Sequence, residues 1–124
     1  MPGGHDPDGE YEALRALYPW LPHPACGPGW HGLVEKVCES LVLLLPPQQL
    51  RELAVLEIGE AAGRLRIRFQ GAGGFEAQIR ALLREAEQAS CRICQQCGAP
   101  GQRARRGGWW ATLCDEHARQ GIWL

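Results

Sequence analysis

The chain has 124 residues, a formal net charge of -1, 45% hydrophobic and 22% charged residues, which suits one compact domain with room for a small appended module. Aromatic residues make up only 7%, while 16 glycines and 9 prolines punctuate the sequence; two large domains are excluded and a helical bundle is disfavoured. No run approaches the roughly 18 consecutive apolar residues that cross a bilayer, and no positive stretch followed by an apolar one opens the chain, so a soluble, unexported cytoplasmic protein with no membrane partner is expected.

Residues 1–9 are polar and rich in Gly and Pro, which predicts a mobile arm. From Asp8, a suitable N-cap, Tyr11, Leu14, Leu17 and Tyr18 recur at helical spacing until Pro19 stops the run. Pro19, Pro22, Pro24 and Pro28 with Gly27 and Gly29 then make a rigid loop over 19–29. Trp30, Leu33, Val34, Val37, Cys38, Leu41, Val42 and Leu45 form a stripe at i, i+3, i+4, i+7 and beyond, predicting a helix over about 29–45 that Pro46 and Pro47 end.

Over 47–58 helical and alternating patterns coexist. Arg64-Leu65-Arg66-Ile67-Arg68-Phe69 alternates charged and apolar residues throughout, so Leu65, Ile67 and Phe69 should be buried and the three arginines exposed. A strand needs a partner, which favours a strand near 54–59, turned by Gly59 to Gly63 and paired with 64–70; a helix at 47–58 is the rival. After Gly71 to Gly74 a second clear helix places Phe75, Ile79, Leu82, Leu83 and Ala86 inward and Glu76, Arg80, Arg84, Glu85 and Glu87 outward. The organisation is thus an N-terminal arm, short helix and loop (1–25), a helix–hairpin–helix core (26–90) and a metal module (91–124).

That module carries the chemistry. Cys94 and Cys97 form a C-x2-C pair followed by Gly98, and sixteen residues separate Cys97 from the second pair, Cys114 and His117. Two thiolates gripped by a tight knuckle, with a second pair closing the shell, predict a structural tetrahedral Zn²⁺ held by Cys94, Cys97, Cys114 and His117. Cys91 precedes Cys94 at the same spacing, so Cys91/Cys94 is the alternative first pair. Metal-ligand spacing also reads the thiols as reduced. Cys26, His31 and Cys38 are too few for a second site, and Cys38 lies on the apolar stripe as a small hydrophobe; a Cys26–Cys38 disulfide is the rival. His5 and His23 lie in loops without a partner at any recognised spacing and should face solvent.

Cys94-x2-Cys97-Gly98-Ala99-Pro100-Gly101, then Arg105-Arg106-Gly107-Gly108-Trp109-Trp110, then Thr112-Leu113-Cys114-Asp115-x-His117, resembles the C-terminal signature of a family of small, mostly uncharacterised phage and prophage proteins. Cys26-Gly27-Pro28-Gly29-Trp30, opening a helix that contains Cys38, and Gly63-Arg64-Leu65-Arg66 extend the resemblance over about residues 26–117. Gly59 and Ala62 depart from the basic or aromatic residue usual before the Gly-x-Leu-Arg step. The resemblance implies a zinc knuckle and a mobile-element setting, and no activity.

The expected fold is therefore α+β, with helices packed on a short antiparallel hairpin and a C-terminal Cys3His knuckle. A closed zinc shell offers no open position for catalysis; with the mobile-element setting that the resemblance implies, this favours a non-enzymatic phage or prophage binding protein that inhibits or modulates a host protein complex of defence or transcription. The segment 103–110, tied at both ends to one ion, should be a pre-ordered loop with Arg103, Arg105, Arg106 and Trp109 contacting the partner and Trp110 turned inward as its anchor. Nucleic acid is the alternative partner, since arginines beside tryptophans meet phosphates and bases; residues 91–124 carry five Arg against Asp115 and Glu116.

Overall fold

A computed structural model describes residues 7–120, and over these the fold is α+β, with five helices and two antiparallel hairpins. The first helix, α1 (Pro7–Leu17), begins before Asp8 and takes in the end of the segment read as an arm; a proline in the first helical turn costs no hydrogen bond. His5 lies outside the described residues. Helix α1 buries Tyr11 and Leu14 and leaves Leu17 exposed. The proline-rich segment that follows is pinned where the Ala25 N–H donates to the Ile58 carbonyl at 2.7 Å, and His23 faces solvent as expected. A 3-10 turn at Pro28–Trp30 leads into α2 (His31–Leu44). Trp30, Val34, Val37, Cys38, Leu41 and Leu45 are buried, whereas Val42, at the margin of the predicted stripe, is 44% exposed.

The ambiguous stretch 47–58 resolves into both alternatives: a one-and-a-half-turn helix, α3 (Pro47–Glu52), hands over through buried Leu53 to strand β1 (Ala54–Ala61). Its partner β2 (Arg64–Gln70) pairs antiparallel with Ile58 opposite Ile67. The turn is only Ala62 and Gly63, with φ of 53 and 82, rather than the five residues expected. Two left-handed residues in succession match the twist of the strands they join. A bulge between Val55 and Glu57 leaves Leu56 unpaired and exposed, so the Ala54, Leu56, Ile58 alternation is broken there. On β2 the predicted faces hold: Leu65 and Ile67 are buried, Phe69 packs half-buried on the core, and Arg64, Arg66 and Arg68 are exposed.

After a 3-10 turn at Gly73–Phe75, helix α4 (Glu76–Ser90) buries Ile79, Leu83 and Ala86 and lies along the free edge of β2. There the Leu65 N–H donates to Ser90 Oγ at 2.9 Å and the Ile67 N–H to Glu87 Oε2 at 3.4 Å. Glu87, expected to point outward, is half-buried for this reason: a covered strand edge needs acceptors for its N–H groups. The main core joins α1, α2, β1, β2 and α4 around Trp30, Val34, Ile58, Leu65 and Ile79.

Candidate metal centre

The C-terminal module is built on a second hairpin, β3 (Gln102–Arg106) and β4 (Trp109–Leu113), followed by α5 (Asp115–Gln120). The segment expected to be a loop is thus two strands in register, Arg103 opposite Thr112 and Arg105 opposite Trp110. Gly107 and Gly108, at φ of 59 and 91, form the tight turn. This signal stood in the sequence: a Gly-Gly pair flanked by the alternating Arg-Ala-Arg and Trp-Ala-Thr runs.

Cys94 and Cys97 come from the knuckle that follows α4. The Cys94 N–H donates to the Ala99 carbonyl at 2.7 Å and the Gly98 N–H to the Cys94 carbonyl at 2.9 Å, a reversal that needs the left-handed Gly98, φ 82. Cys114 follows β4 directly and His117 stands on the first turn of α5, where the His117 N–H donates to Cys114 Sγ at 3.4 Å. The four ligand atoms lie within 4.8 Å of one another. Cys94 Sγ and Cys114 Sγ are 3.4 and 3.3 Å from His117 Nδ1, and Cys97 Sγ is 3.9 Å from Cys114 Sγ. With metal–sulfur bonds of about 2.3 Å and metal–nitrogen bonds of about 2.0–2.1 Å, a regular tetrahedron has edges of about 3.8 Å between sulfurs and about 3.6 Å from sulfur to nitrogen. The observed edges are of that size, so these four residues could hold a metal ion. Cys91 stands apart at the end of α4, its thiol directed to the Glu87 carbonyl at 3.7 Å.

The electrostatics of the cluster favour a cation. Burial works against ionisation of Cys94, but backbone N–H groups of Cys114, Cys97 and Gln96 outweigh it and lower its pKa. Cys97 is pushed the other way, by desolvation and then by the sulfurs of Cys94 and Cys114 beside it. One thiolate is welcomed and a second is opposed unless a positive ion sits between them. Cys38, by contrast, is raised to about 12 by burial and by Glu35 and Glu39, and behaves as a core residue. Cys26 is raised by burial, with its sulfur 3.4 Å from the Tyr11 hydroxyl oxygen.

The module is clamped to the main core at two places. Gly29 donates its N–H to the Gln95 carbonyl at 2.9 Å and Trp30 Nε1 donates to the Ile93 carbonyl at 2.9 Å. At Gly29 a Cβ would stand 2.0 Å from the Cys94 carbonyl oxygen, so the glycine is required by close approach. On the far side Thr112 Oγ1 donates to the Gly63 carbonyl at 2.6 Å and Arg103 Nε to the Ala62 carbonyl at 2.8 Å. Gln95 braces β4 from within, exchanging bonds with Thr112 through its backbone N–H and its side-chain oxygen.

The predicted partner residues divide between two faces of the hairpin. Arg103, Arg105, Trp110 and Thr112 share one face, Arg106 and Trp109 the other. Trp109 is 65% exposed, and Arg105 is exposed. Arg106 is half-buried and donates to the Ala104 and Ala111 carbonyls, bracing the hairpin. Trp110 corrects the expectation of an inward anchor: it is 41% exposed with the Arg103 guanidinium 4.2 Å from its ring centre. Thr112, buried on the same face, does the anchoring instead. Among the described residues no helix is long and apolar enough to cross a membrane. Comparisons with family models, with curated proteins and with solved structures return no match to this chain.

Proposed function

We propose that the chain is a non-enzymatic binding protein of a phage or prophage that occupies a surface of a host protein complex, of defence or of transcription, with one structural Zn²⁺ maintaining its recognition element. The observation that carries this reading is the second hairpin, which presents an exposed Arg105 on one face and Trp109, at 65% exposure, on the other, and whose second strand runs into Cys114 of the four-residue cluster. Trp and Arg are the residue types most enriched where binding energy concentrates. A hairpin whose flanks converge on one ion loses little freedom on binding.

Four protein ligands of Cys3His type complete a tetrahedral zinc shell and leave no position for substrate, which supports a structural ion rather than a catalytic one. The small hydrophobic cluster around Cys94, Ala111 and Leu113 is too slight to hold the module by itself, which is where a bound ion contributes most. The mobile-element setting rests on the resemblance of the knuckle and hairpin motifs.

The test uses the full chain as bait in host lysate, beside an Arg105→Ala/Trp109→Ala variant, with zinc measured in both. The expected result is one zinc per chain in each, and a host complex retained by the natural chain with roughly tenfold or more loss in the variant. Equal capture by both places the contact elsewhere. Zinc-free protein purified under reducing conditions overturns the metal assignment.

A further inference from the structure

The net charge of -1 conceals a strong segregation. Residues 61–75 and 88–114 hold seven arginines and no Asp or Glu, leaving six basic and fourteen acidic residues for the remainder. These two segments contain β2 with its turn and the whole second hairpin, and tertiary structure brings them together. Arg103 Nε and Thr112 Oγ1 bond the carbonyls of Ala62 and Gly63, and a Cβ on Gly63 would meet the Ala111 nitrogen at 2.8 Å. Arg64 follows Gly63 directly, so the exposed arginine row of β2 runs into the face of the second hairpin that carries Arg103, Arg105 and Trp110.

One ion pair is made on this strip, and Glu87, bonded to the Ile67 N–H, lines the same depression as Arg64 and Arg66. Arg68 pairs with Glu57 at 3.6 Å, while Arg64, Arg66 and Arg105 form no ion pair among the described residues. Glu60, the other acid of this hairpin, is turned to the Gly63 N–H at 2.6 Å. Trp110 carries the Arg103 guanidinium against its ring and is still 41% exposed, an aromatic platform set between cations.

We propose that the two hairpins form one continuous binding strip for single-stranded nucleic acid. Arg64, Arg66 and Arg105 meet backbone phosphates, and bases stack on Trp110 with Arg103 fixing the ring. Rows of cations flanking an exposed indole match a polyanion whose bases are unpaired; a duplex keeps its base faces covered. The acidic remainder of the molecule repels a polyanion and orients the strand to this face. The inference relies on the second hairpin being a recognition element, as in the function proposed above, and not on any particular host complex.

The experiment is fluorescence anisotropy of the full, metal-loaded chain with a labelled oligo(dT) of about 20 nucleotides, a duplex of equal length and a labelled polyglutamate, each near 50 and near 200 mM salt. Three phosphate contacts on a single strand predict roughly a 20-fold loss of affinity over that salt range. Arg64→Ala/Arg66→Ala, which removes no side-chain hydrogen bond among the described residues and leaves the Cys3His cluster intact, should weaken oligo(dT) binding about tenfold or more and flatten the salt dependence. Trp110→Leu should weaken it with the salt slope unchanged and abolish tryptophan quenching by the oligonucleotide. Preference for the duplex, binding to polyglutamate alone, no binding at all, or an unaffected Arg64→Ala/Arg66→Ala variant with natural zinc content would each overturn the proposal. Loss of host capture in the Arg105→Ala/Trp109→Ala variant beside an absence of oligonucleotide binding would leave the host-complex reading standing.

Discussion

Gly29 and Trp30 carry more than their sequence context suggests, because they are where the main core grips the knuckle. Gly29 has no room for a side chain against the Cys94 carbonyl and the Gly98 nitrogen, which lie 2.0 and 2.6 Å from where a Cβ would stand. Both neighbours are backbone of the metal loop and cannot swing aside as a side-chain end could. Gly29→Ala should therefore destabilise the protein by about 2–4 kcal/mol and weaken zinc retention, read from the denaturation midpoint and from competition with a chelator. Natural values in both measurements would show that the knuckle tolerates displacement. Trp30, fully buried with its indole N–H bonded to the Ile93 carbonyl, is an internal counterpart of the exposed tryptophans of the hairpin. Sequence spacing placed it on a helical stripe and could not show that its polar edge is committed to residue 93.

At the scale of elements, the contact of α4 with β2 explains how a two-stranded sheet persists. A lone hairpin is marginal in water, and here one edge is covered by a helix that supplies Ser90 and Glu87 as acceptors. Ser90 is completely buried and also donates to the Glu87 carbonyl, so both its hydrogen-bonding roles are used. Ser90→Ala should cost about 1–3 kcal/mol by leaving the Leu65 N–H without a partner. Glu76→Ala, which removes only the exposed pair with Arg80, should cost less than about 0.5 kcal/mol. Chemical denaturation of the two variants checks the contrast, and equal effects would show that the edge is satisfied in another way. The second hairpin follows the same logic with different means, Gln95 and the Ala62–Gly63 turn covering β4 and the backbone of Cys91 covering the start of β3. Arg106 belongs to this bracing, so Arg105→Ala tests recognition without removing a bond of the hairpin, whereas Arg106→Ala removes its bonds to the Ala104 and Ala111 carbonyls.

Across the whole molecule, stability is divided between a large apolar cluster and a small one. The main core spans α1 to α4, whereas the module has only Cys94, Ala111 and Leu113, the clamps at Gly29 and Trp30, and the four clustered residues that could hold a metal ion. Removing metal with a strong chelator should raise amide hydrogen exchange over 91–120 well beyond that over 31–90, with Gly29 and the Ala62–Gly63 turn following the module. Exchange rising equally throughout would mean that core and module unfold as one unit. Unchanged exchange in the module would mean that the clamps suffice without an ion.

Local patterns by themselves determined the α2 and α4 helices, the arginine face of β2 and the two Cys/His pairs that come together in one cluster, because helical spacing, two-residue alternation and close pairs are all set within a few residues. That Cys97 rather than Cys91 joins Cys94 in the cluster was visible in Gly98, which allows the left-handed reversal. Tertiary structure decided what depends on contacts between distant residues: the division of 47–58 at Leu53, the bulge at Leu56 and the inward turn of Glu87 to a strand edge. It also decided that Thr112 rather than Trp110 anchors the second hairpin, because the Gly63 carbonyl that Thr112 reaches is 49 positions away. The joining of two arginine-rich segments into one surface is likewise absent from any local window. It exists only because the turn of one hairpin abuts a strand of the other.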